Sequence, residues 1–296
     1  MKKDLAVKGN LIILVTALLW SAGGVLIKFI PWNSLSIASL RGLISFVILF
    51  GVRQLRRCRG SYQPVRFTRY NAAAGAAMCL TSIFFLAANK HTTAANAIVL
   101  QYIAPILILL YTALVEKRKP THAEIVLTIL VFGGCVLAFA DKLGGSSPFG
   151  DTLAILSGFC FAALILLSRK KETQAEDGQI IGCGMGFVVG LPFLLTDASL
   201  SFAPASVAAM LALGIFQYCL PSILFAKGVK MTHPVAASII LTVEPIMSPV
   251  WVYLFLGELP GMLAIMGFVL VISAVTLQSL IPMLRKPRPG DVEPLG

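Results

Sequence analysis

The sequence predicts an all-α integral membrane protein whose ten transmembrane helices form two inverted five-helix repeats. Three observations carry this expectation. Hydrophobic residues make up 57% of the 296-residue chain and charged residues 12%, with a mean hydropathy of +0.88. A soluble domain carries about 25% charged residues, so this chain lacks the polar surface to cover a water-facing globule. Apolar stretches of about 20 residues recur along the chain, the length that crosses about 30 Å of hydrocarbon as a helix and too long for barrel strands. The second half also repeats the first about 140 residues later.

The repeat has a fixed register. Setting residues 85–120 on 225–260 places Lys90, Thr92, Ala97, Pro105, Ile106, Leu114 and Pro120 on Lys230, Thr232, Ala237, Pro245, Ile246, Leu254 and Pro260. An offset of 141 places Gly9 on Gly150 and Lys28 on Arg169 at either end of an apolar run. An odd number of spans per copy turns the second copy over, and inverted repeats are a signature of secondary transporters.

The elements follow in order. Span one (9–29) carries Trp20 on one stripe with Thr16, Gly23 and Ile27. Lys2 and Lys3 precede it, and because the apolar run reaches full span length it reads as a retained helix. Span two (35–52) contains Arg41, and the Arg-rich loop 53–69 leads to span three (70–89). Span four (94–115) carries Asn96, Gln101 and Tyr102 before Pro105, and span five (122–140) closes the first repeat, 9–140. Residues 141–148, rich in glycine and serine, read as the connecting loop. Span six (149–168) brings Ser157 and Phe161 into the register of Thr16 and Trp20, and span seven (178–195) is glycine-rich. Span eight (205–226) carries Gln217 and Tyr218 before Pro221. Span nine (233–256) carries Ser238, Thr242, Pro245 and Ser248 on one stripe, together with Glu244. Span ten (260–284) completes the second repeat, 149–284, and the proline-containing residues 285–296 are expected to form a disordered cytoplasmic tail.

The net charge of +11 suggests a nucleic-acid partner until its distribution is examined. With a cytoplasmic N-terminus, 20 of the 24 Lys and Arg fall on inside segments and only Lys28, Lys90 and Lys142 outside, with Arg41 within a span. This is the positive-inside pattern. It predicts a multi-pass inner-membrane protein with both termini cytoplasmic and no nucleic-acid partner. The loop 53–69 reads first as a topology determinant and second as an anionic-lipid site.

Chemistry is sparse. The six cysteines are scattered without C-x-x-C spacing, and His91, His122 and His233 lack ligand spacing. No nucleophile motif or phosphate-binding glycine loop is present, and every loop is too short for a nucleotide domain. The expectation is a non-enzyme with no cofactor and no metal.

Glu244 is the only acidic residue deep in a span, about 16 Å from the helix end and so near the midplane. A carboxylate there is protonated, paired or cavity-facing. Glu244 is therefore either a proton-coupling or cation-binding group, or an acceptor for backbone donors freed at the Pro245 break. Arg41, about 9 Å below its boundary, could reach a substrate carboxylate, pair with Glu244 or snorkel outward. Trp20 and Phe161 are inversion-related aromatics that could flank a cavity or simply pack. Gln101, Tyr102, Gln217, Tyr218 and Thr242 stand beside proline breaks, where exposed carbonyls mark possible substrate depth, with interhelical hydrogen bonding the plain alternative. Gly23, Gly24, Gly133, Gly134, Gly182, Gly184, Gly186 and Gly190 read as close-packing positions.

Three segments resemble one family. The first span, Ala17-Leu18-Leu19-Trp20-Ser21-Ala22-Gly23-Gly24, resembles the opening motif of EamA-type members of the drug/metabolite transporter superfamily. Ala38-Ser39-Leu40-Arg41 resembles its second helix, and Val235-Ala236-Ala237 through Glu244-Pro245 to Gly257-Glu258-Leu259-Pro260 its ninth helix and following loop. The resemblance implies two inverted repeats around a central cavity that exports amino acids or other small metabolites. This chain departs from the pattern in having Ala104 opposite Glu244, and no acidic residue in the first helix as small multidrug members have. The expected mechanism is alternating access about Pro105 and Pro245, with Trp20, Gln101, Tyr102, Phe161, Gln217, Tyr218 and Thr242 lining the cavity and Glu244 setting the coupling to protons, as a monomer or homodimer. An uncoupled carrier, a lipid-carrier flippase of the same fold and an intramembrane enzyme are the other readings; the scattered cysteines and peripheral histidines weigh against the last.

Overall fold

The computed structural model describes residues 2–60, 63–143, 147–256 and 261–284. The expected tail 285–296, the motif residues 257–260 and linker residues 144–146 lie outside them. The described residues contain ten helical passages long and apolar enough to cross a membrane. The first is α1 (Lys2–Ser21) continued by α2 (Gly23–Lys28), the second α3 (Ser34–Cys58), and the third α4 (Arg69–His91). The fourth is divided into α5 (Ala94–Gln101) and α6 (Ala104–Leu114), and the fifth is α7 (His122–Phe139). After a 3-10 turn at Ala140–Lys142, α8 (Pro148–Arg169) and α9 (Ala175–Leu195) form the sixth and seventh. The eighth runs from α10 (Pro204–Ala212) through a π-helical segment, Leu213–Cys219, into α11 (Leu220–Met231). The ninth is divided into α12 (Pro234–Leu241) and α13 (Val243–Leu256), and the tenth is α14 (Met262–Leu284).

Local chemistry sets the helix starts. Asn33, Thr68, Thr93 and Ser147 each accept a backbone N–H two or three residues on. Thr121 and Glu124 form a reciprocal capping box at the start of α7. Pro148, Pro204 and Pro234 occupy first-turn positions, where a missing N–H costs nothing.

Two faces are distinguished: the terminal face, where α1 begins, and the linker face, where residues 141–148 lie. The helix pairing maps onto itself when each span is exchanged for the one five later. Span two packs on seven and five on ten; the three–six pairing mirrors eight–one, and three–seven mirrors eight–two. The halves are therefore interleaved, with most large helix contacts crossing from one repeat to the other. The sequence repeat is visible in these contacts. A Cβ on Gly9 would stand 2.5 Å from Thr232 Oγ1, and one on Gly150 would stand 2.8 Å from Thr92 N. Gly9 and Gly150 are repeat mates, as are Thr92 and Thr232, so each glycine packs on the threonine of the opposite copy, one contact on each face.

The outer surface is apolar: Leu11, Val47, Ile129, Val188 and Val269 are each more than half exposed. Gly134, Gly182, Gly184 and Gly190 face neighbouring helices closely, but Gly133 and Gly186 face open space, contrary to their expected packing role. A Cβ on either would meet no atom within 4 Å. Polar order concentrates at the face ends. Arg53, 5% exposed, bonds Asp177 at 2.5 Å and Glu176 at 3.1 Å, tying the end of α3 to the start of α9. Asp177 also accepts from the Arg66 backbone at 3.0 Å, which anchors the 60s loop. At the linker face, Asp197 accepts from the Asn33 backbone at 2.9 Å and Trp32 Nε1 donates to Ser201 O at 3.1 Å.

Candidate functional site

The fourth and ninth spans break three residues before matched prolines. α5 ends at Gln101 with Pro105 in the first turn of α6, and α12 ends at Leu241 with Pro245 in the first turn of α13. Proline has no N–H, so the carbonyls of Gln101 and Leu241 lose their usual partner four residues on. In hydrocarbon such groups need another contact. Tyr102 Oη reaches Leu241 O at 3.4 Å across the repeat boundary. The Gln101 carbonyl instead faces Gly158 of α8, where a Cβ would stand 2.7 Å away. The opposite copy covers each break, by a hydroxyl in one case and by a close glycine in the other.

The carboxylate of the ninth-span break is held from the fourth. Tyr102 Oη bonds Glu244 Oε2 at 2.8 Å. The Arg41 guanidinium lies over the Tyr218 ring, 4.5 Å from Cζ to centroid, a cation–π arrangement. It is near enough to act electrostatically on Glu244. Among the described residues, neither Arg41 nor Glu244 takes part in an ion pair. A cation on α3 and a carboxylate on α13 are thus each held by a tyrosine. Glu244 takes its hydrogen bond from a side chain, and Arg41 is turned inward onto Tyr218 rather than outward to the interface.

An aromatic string leads away from this pair. Tyr102 meets Phe161 edge-on at 6.0 Å, Phe161 meets Trp20 at 6.5 Å, and Trp20 tilts on Phe225 at 5.6 Å. Trp20 is half-buried and Phe161 buried. The inversion-related aromatics, Trp20 and Phe161, therefore touch. Gln217 Nε2 donates to Trp20 O at 3.1 Å, next to the interruption between α1 and α2. Its Oε1 is buried with no hydrogen-bond partner. Gln217 and Tyr218 sit in the π-helical segment, whose wider turn precedes Pro221; Ser45 Oγ donates to Gly214 O there at 2.8 Å.

Two expected lining residues are engaged elsewhere. Gln101 Nε2 donates to Ser157 Oγ at 2.8 Å, which donates to Thr81 O at 2.8 Å. Thr242 is fully buried and its hydroxyl bonds Ile239 O of its own helix. Arg41, Tyr218, Glu244, Tyr102, Phe161 and Trp20 are brought together; Gln101 and Thr242 secure backbone and helix contacts at its edge. Phe225 and Trp251 were missed. Trp251 Nε1 donates to Ser21 Oγ at 2.7 Å, so the ninth span holds the interruption of the first. The only sequence signal for Phe225 is its repeat relation to Phe85; Trp251 carries none.

A separate shallow cleft lies toward the terminal face between α3, α9 and α11. Leu49, Val52, Ile180 and Ile223 form apolar walls, and Arg53, Arg56, Glu176, Gln179 and Ser222 supply polar groups. It ends one helical turn from Tyr218, whose carbonyl accepts from Ser222 Oγ at 2.7 Å.

Comparison with known proteins agrees with this architecture. The model of the EamA-like transporter family matches residues 7–140 and again 148–280. A protein described as the uncharacterized inner membrane transporter YicL of Salmonella typhimurium is 25% identical, over 92% of this chain and 95% of its own. The uncharacterized transporter YwfM of Bacillus subtilis is 24% identical, over 94% of this chain and 97% of its own. An uncharacterized transporter of Archaeoglobus fulgidus is 22% identical, over 91% of this chain and 95% of its own. A crystal structure with 17% identity superposes at a TM-score of 0.77, covering 95% of this chain and all of that one, which shows a shared fold. Because the family model matches both halves of the chain in turn, this ten-span membrane protein belongs to the EamA-like transporter family and is a transporter rather than an enzyme.

Proposed function

We propose that this transporter exports a zwitterionic small metabolite of the amino-acid class, in exchange for protons, through the Arg41–Glu244 site. The observation that carries the reading is the unpaired juxtaposition of Arg41, on Tyr218, and Glu244, on Tyr102. A substrate carboxylate takes the planar guanidinium donors, and its ammonium takes the Glu244 carboxylate. Trp20 and Phe161 supply an aromatic wall for an apolar or aromatic side chain. Protonating Glu244 removes the ammonium's partner, so a proton and the substrate compete for one group and exchange across the membrane. The matched breaks at Pro105 and Pro245 let the two repeats, 9–140 and 149–284, expose the site to either side in turn. The one-sided distribution of Lys and Arg supports both termini lying in the cytoplasm.

The test is counterflow in proteoliposomes with labelled neutral, aromatic and cationic amino acids, with and without a pH gradient. Saturable exchange of one class, accelerated by the gradient in wild type and not in Glu244→Gln, supports the reading. An equal gradient response in both proteins removes Glu244 from coupling and leaves an uncoupled carrier. The second reading is a carrier-lipid flippase, favoured by the apolar-walled cleft containing Arg53 and Arg56. Silence across the solute panel, with movement of a fluorescent lipid between leaflets, would put it first.

A further inference from the structure

We propose that the α1–α11 interface is the gate that opens at rest, toward the terminal face, while a Thr92–Asp151 latch holds the linker face shut. The inference rests on the reading that the two repeats expose the site to either side in turn. It adds the side on which the unloaded carrier opens. The α4–α8 and α1–α11 interfaces are repeat mates, the first closed at the linker face and the second at the terminal face. Their backbone plan is shared and their closing chemistry is not.

The first observation is the difference between the two closures. At the linker face, Thr92 Oγ1 donates to Asp151 Oδ1 at 2.8 Å and accepts from Asn96 Nδ2 at 3.2 Å. His91 meets Phe149 edge-on at 5.0 Å beside them. At the terminal face the mates of Thr92, Asp151, Asn96 and His91 are Thr232, Asn10, Ala236 and Met231. Thr232 is 1% exposed and Asn10 4%, yet Thr232 Oγ1 and Asn10 Nδ2 have no hydrogen-bond partner. Gly9 packs on Thr232, so the chains meet without a bond from that hydroxyl or that amide nitrogen. Arg169 Nε bonds only the Thr232 backbone oxygen, at 2.8 Å.

The second observation is that the same contrast extends around each closure. Ser168 Oγ on α8, both ends of the Gln179 amide on α9 and Gln278 Oε1 on α14 are likewise buried without a partner. Each lies within about two turns of a terminal-face helix end, on a helix that packs against α1 or α11. Toward the linker face, the buried Ser36, Ser39 and Ser206 each donate to a backbone carbonyl, at 3.2, 3.0 and 3.3 Å. The bonded Arg53–Asp177 pair of the terminal face joins α3 to α9 and does not cross the α1–α11 interface. Closing the terminal face therefore forfeits hydrogen bonds to water that closing the linker face replaces with protein ones. Parting α1 from α11 rehydrates Asn10 and Thr232, whereas parting α4 from α8 breaks a bond to a carboxylate. The equilibrium lies toward terminal-face opening, the side on which an exporter takes up its cargo.

The experiment is amide hydrogen exchange read by mass spectrometry on the purified full chain in lipid nanodiscs, without substrate. Peptides over 90–94 and 149–153 report the linker face, and peptides over 8–12 and 230–234 the terminal face. The same change is made at the two mates, Thr92→Val and Thr232→Val. Thr92→Val should speed linker-face exchange about tenfold, because it removes the bond to Asp151. Thr232→Val should slow terminal-face exchange about tenfold, because it removes a hydroxyl that closure leaves unpartnered. Asn10→Leu should repeat that slowing from the other side of the interface, and each shift should bring the opposite shift at the other face. Unchanged or faster terminal-face exchange in both Thr232→Val and Asn10→Leu would overturn the proposal. Opposite signs at the mates without the reciprocal shift would support the gate and overturn the alternating exposure on which it rests. The readout needs no substrate, so a different cargo or an uncoupled Glu244 leaves it unmoved.

Discussion

The fourth and ninth spans share a backbone plan and differ in chemistry. Both break before a proline at the same repeat position, yet Ala104 stands where the ninth span has Glu244, and Tyr102 stands where it has Thr242. Every residue of α12 is buried, enclosed by helices of both repeats, whereas α5 packs mainly on α8. The pairing of tyrosine and carboxylate works only because the inverted repeats bring unlike residues face to face: Tyr102 of one break serves Leu241 and Glu244 of the other. Symmetry supplies two helix breaks, and the departures from symmetry supply one tyrosine–carboxylate pair between them.

The comparison is broken most severely by putting a carboxylate in the fourth span. Ala104 is fully buried, and its nearest equivalent of Tyr102 is Thr242, whose hydroxyl is turned onto its own helix. Ala104→Glu is expected to cost about 3 kcal/mol of membrane stability, read as loss of monodisperse protein after purification. Tyr102→Phe leaves the rings packed and removes the 2.8 Å bond to Glu244. A hydrogen bond to a charged group is worth about 1.5–3 kcal/mol, so transport at limiting substrate should fall about tenfold or more, with the pH profile displaced. An unchanged profile would detach Tyr102 from the pH dependence.

A glycine pair sharpens the packing side. Gly158→Ala drives a Cβ to 2.7 Å from the Gln101 carbonyl at the fourth-span break, a backbone contact that cannot yield cheaply. Overpacking of this kind costs about 1–3 kcal/mol, visible as a lower melting temperature. Gly133→Ala, with open space around it, should be neutral or stabilising by up to about 1 kcal/mol through helix propensity. Equal effects of the two changes would show that the break does not depend on the close α5–α8 approach.

The smallest effect concerns the two ends of the α3–α9 pair. The terminal-face end is closed by the buried Arg53–Asp177 pair, the linker-face end by Asp197. Hydrogen bonds from the Ser199 side chain, then from the Ser199 and Asn33 backbone, hold the Asp197 carboxyl well below the usual carboxylate range. A carboxyl lowered in the folded state contributes its full stabilisation above its unfolded value, and that contribution fades as pH falls toward the folded one. Melting curves taken between about pH 5 and pH 2 should therefore show a shallower acid loss in Asp197→Asn than in wild type. Identical slopes would leave the linker-face closure to Trp32 and Ser36, which donate to Ser201 O and Phe193 O.

How far the sequence could be read depended on the kind of signal. Breaks at Pro105 and Pro245 were legible because proline acts on its own backbone. Trp20 and Phe161 were legible as a related pair because the repeat register names them together. The tie from Gln217 to the Trp20 carbonyl and that from Trp251 to Ser21 were not, since each joins residues about 200 positions apart with nothing local to mark them. Gln101 and Thr242 looked like lining groups, but a polar side chain beside a break has two outlets, a cavity or a backbone group, and composition does not choose between them.

By itself the sequence determined that the chain spans a membrane ten times and that its second half repeats its first, because hydropathy, helix length and breaker spacing are properties of contiguous residues. Only the tertiary structure decided that the repeats interleave, that Gly9 lies on Thr232 and Gly150 on Thr92, and that Arg41 rests on Tyr218 without pairing with Glu244. Which side chains meet across an inverted interface depends on the rotation and depth of each helix against its neighbours. Packing within the assembled bundle fixes those two quantities, and no local run of residues encodes them.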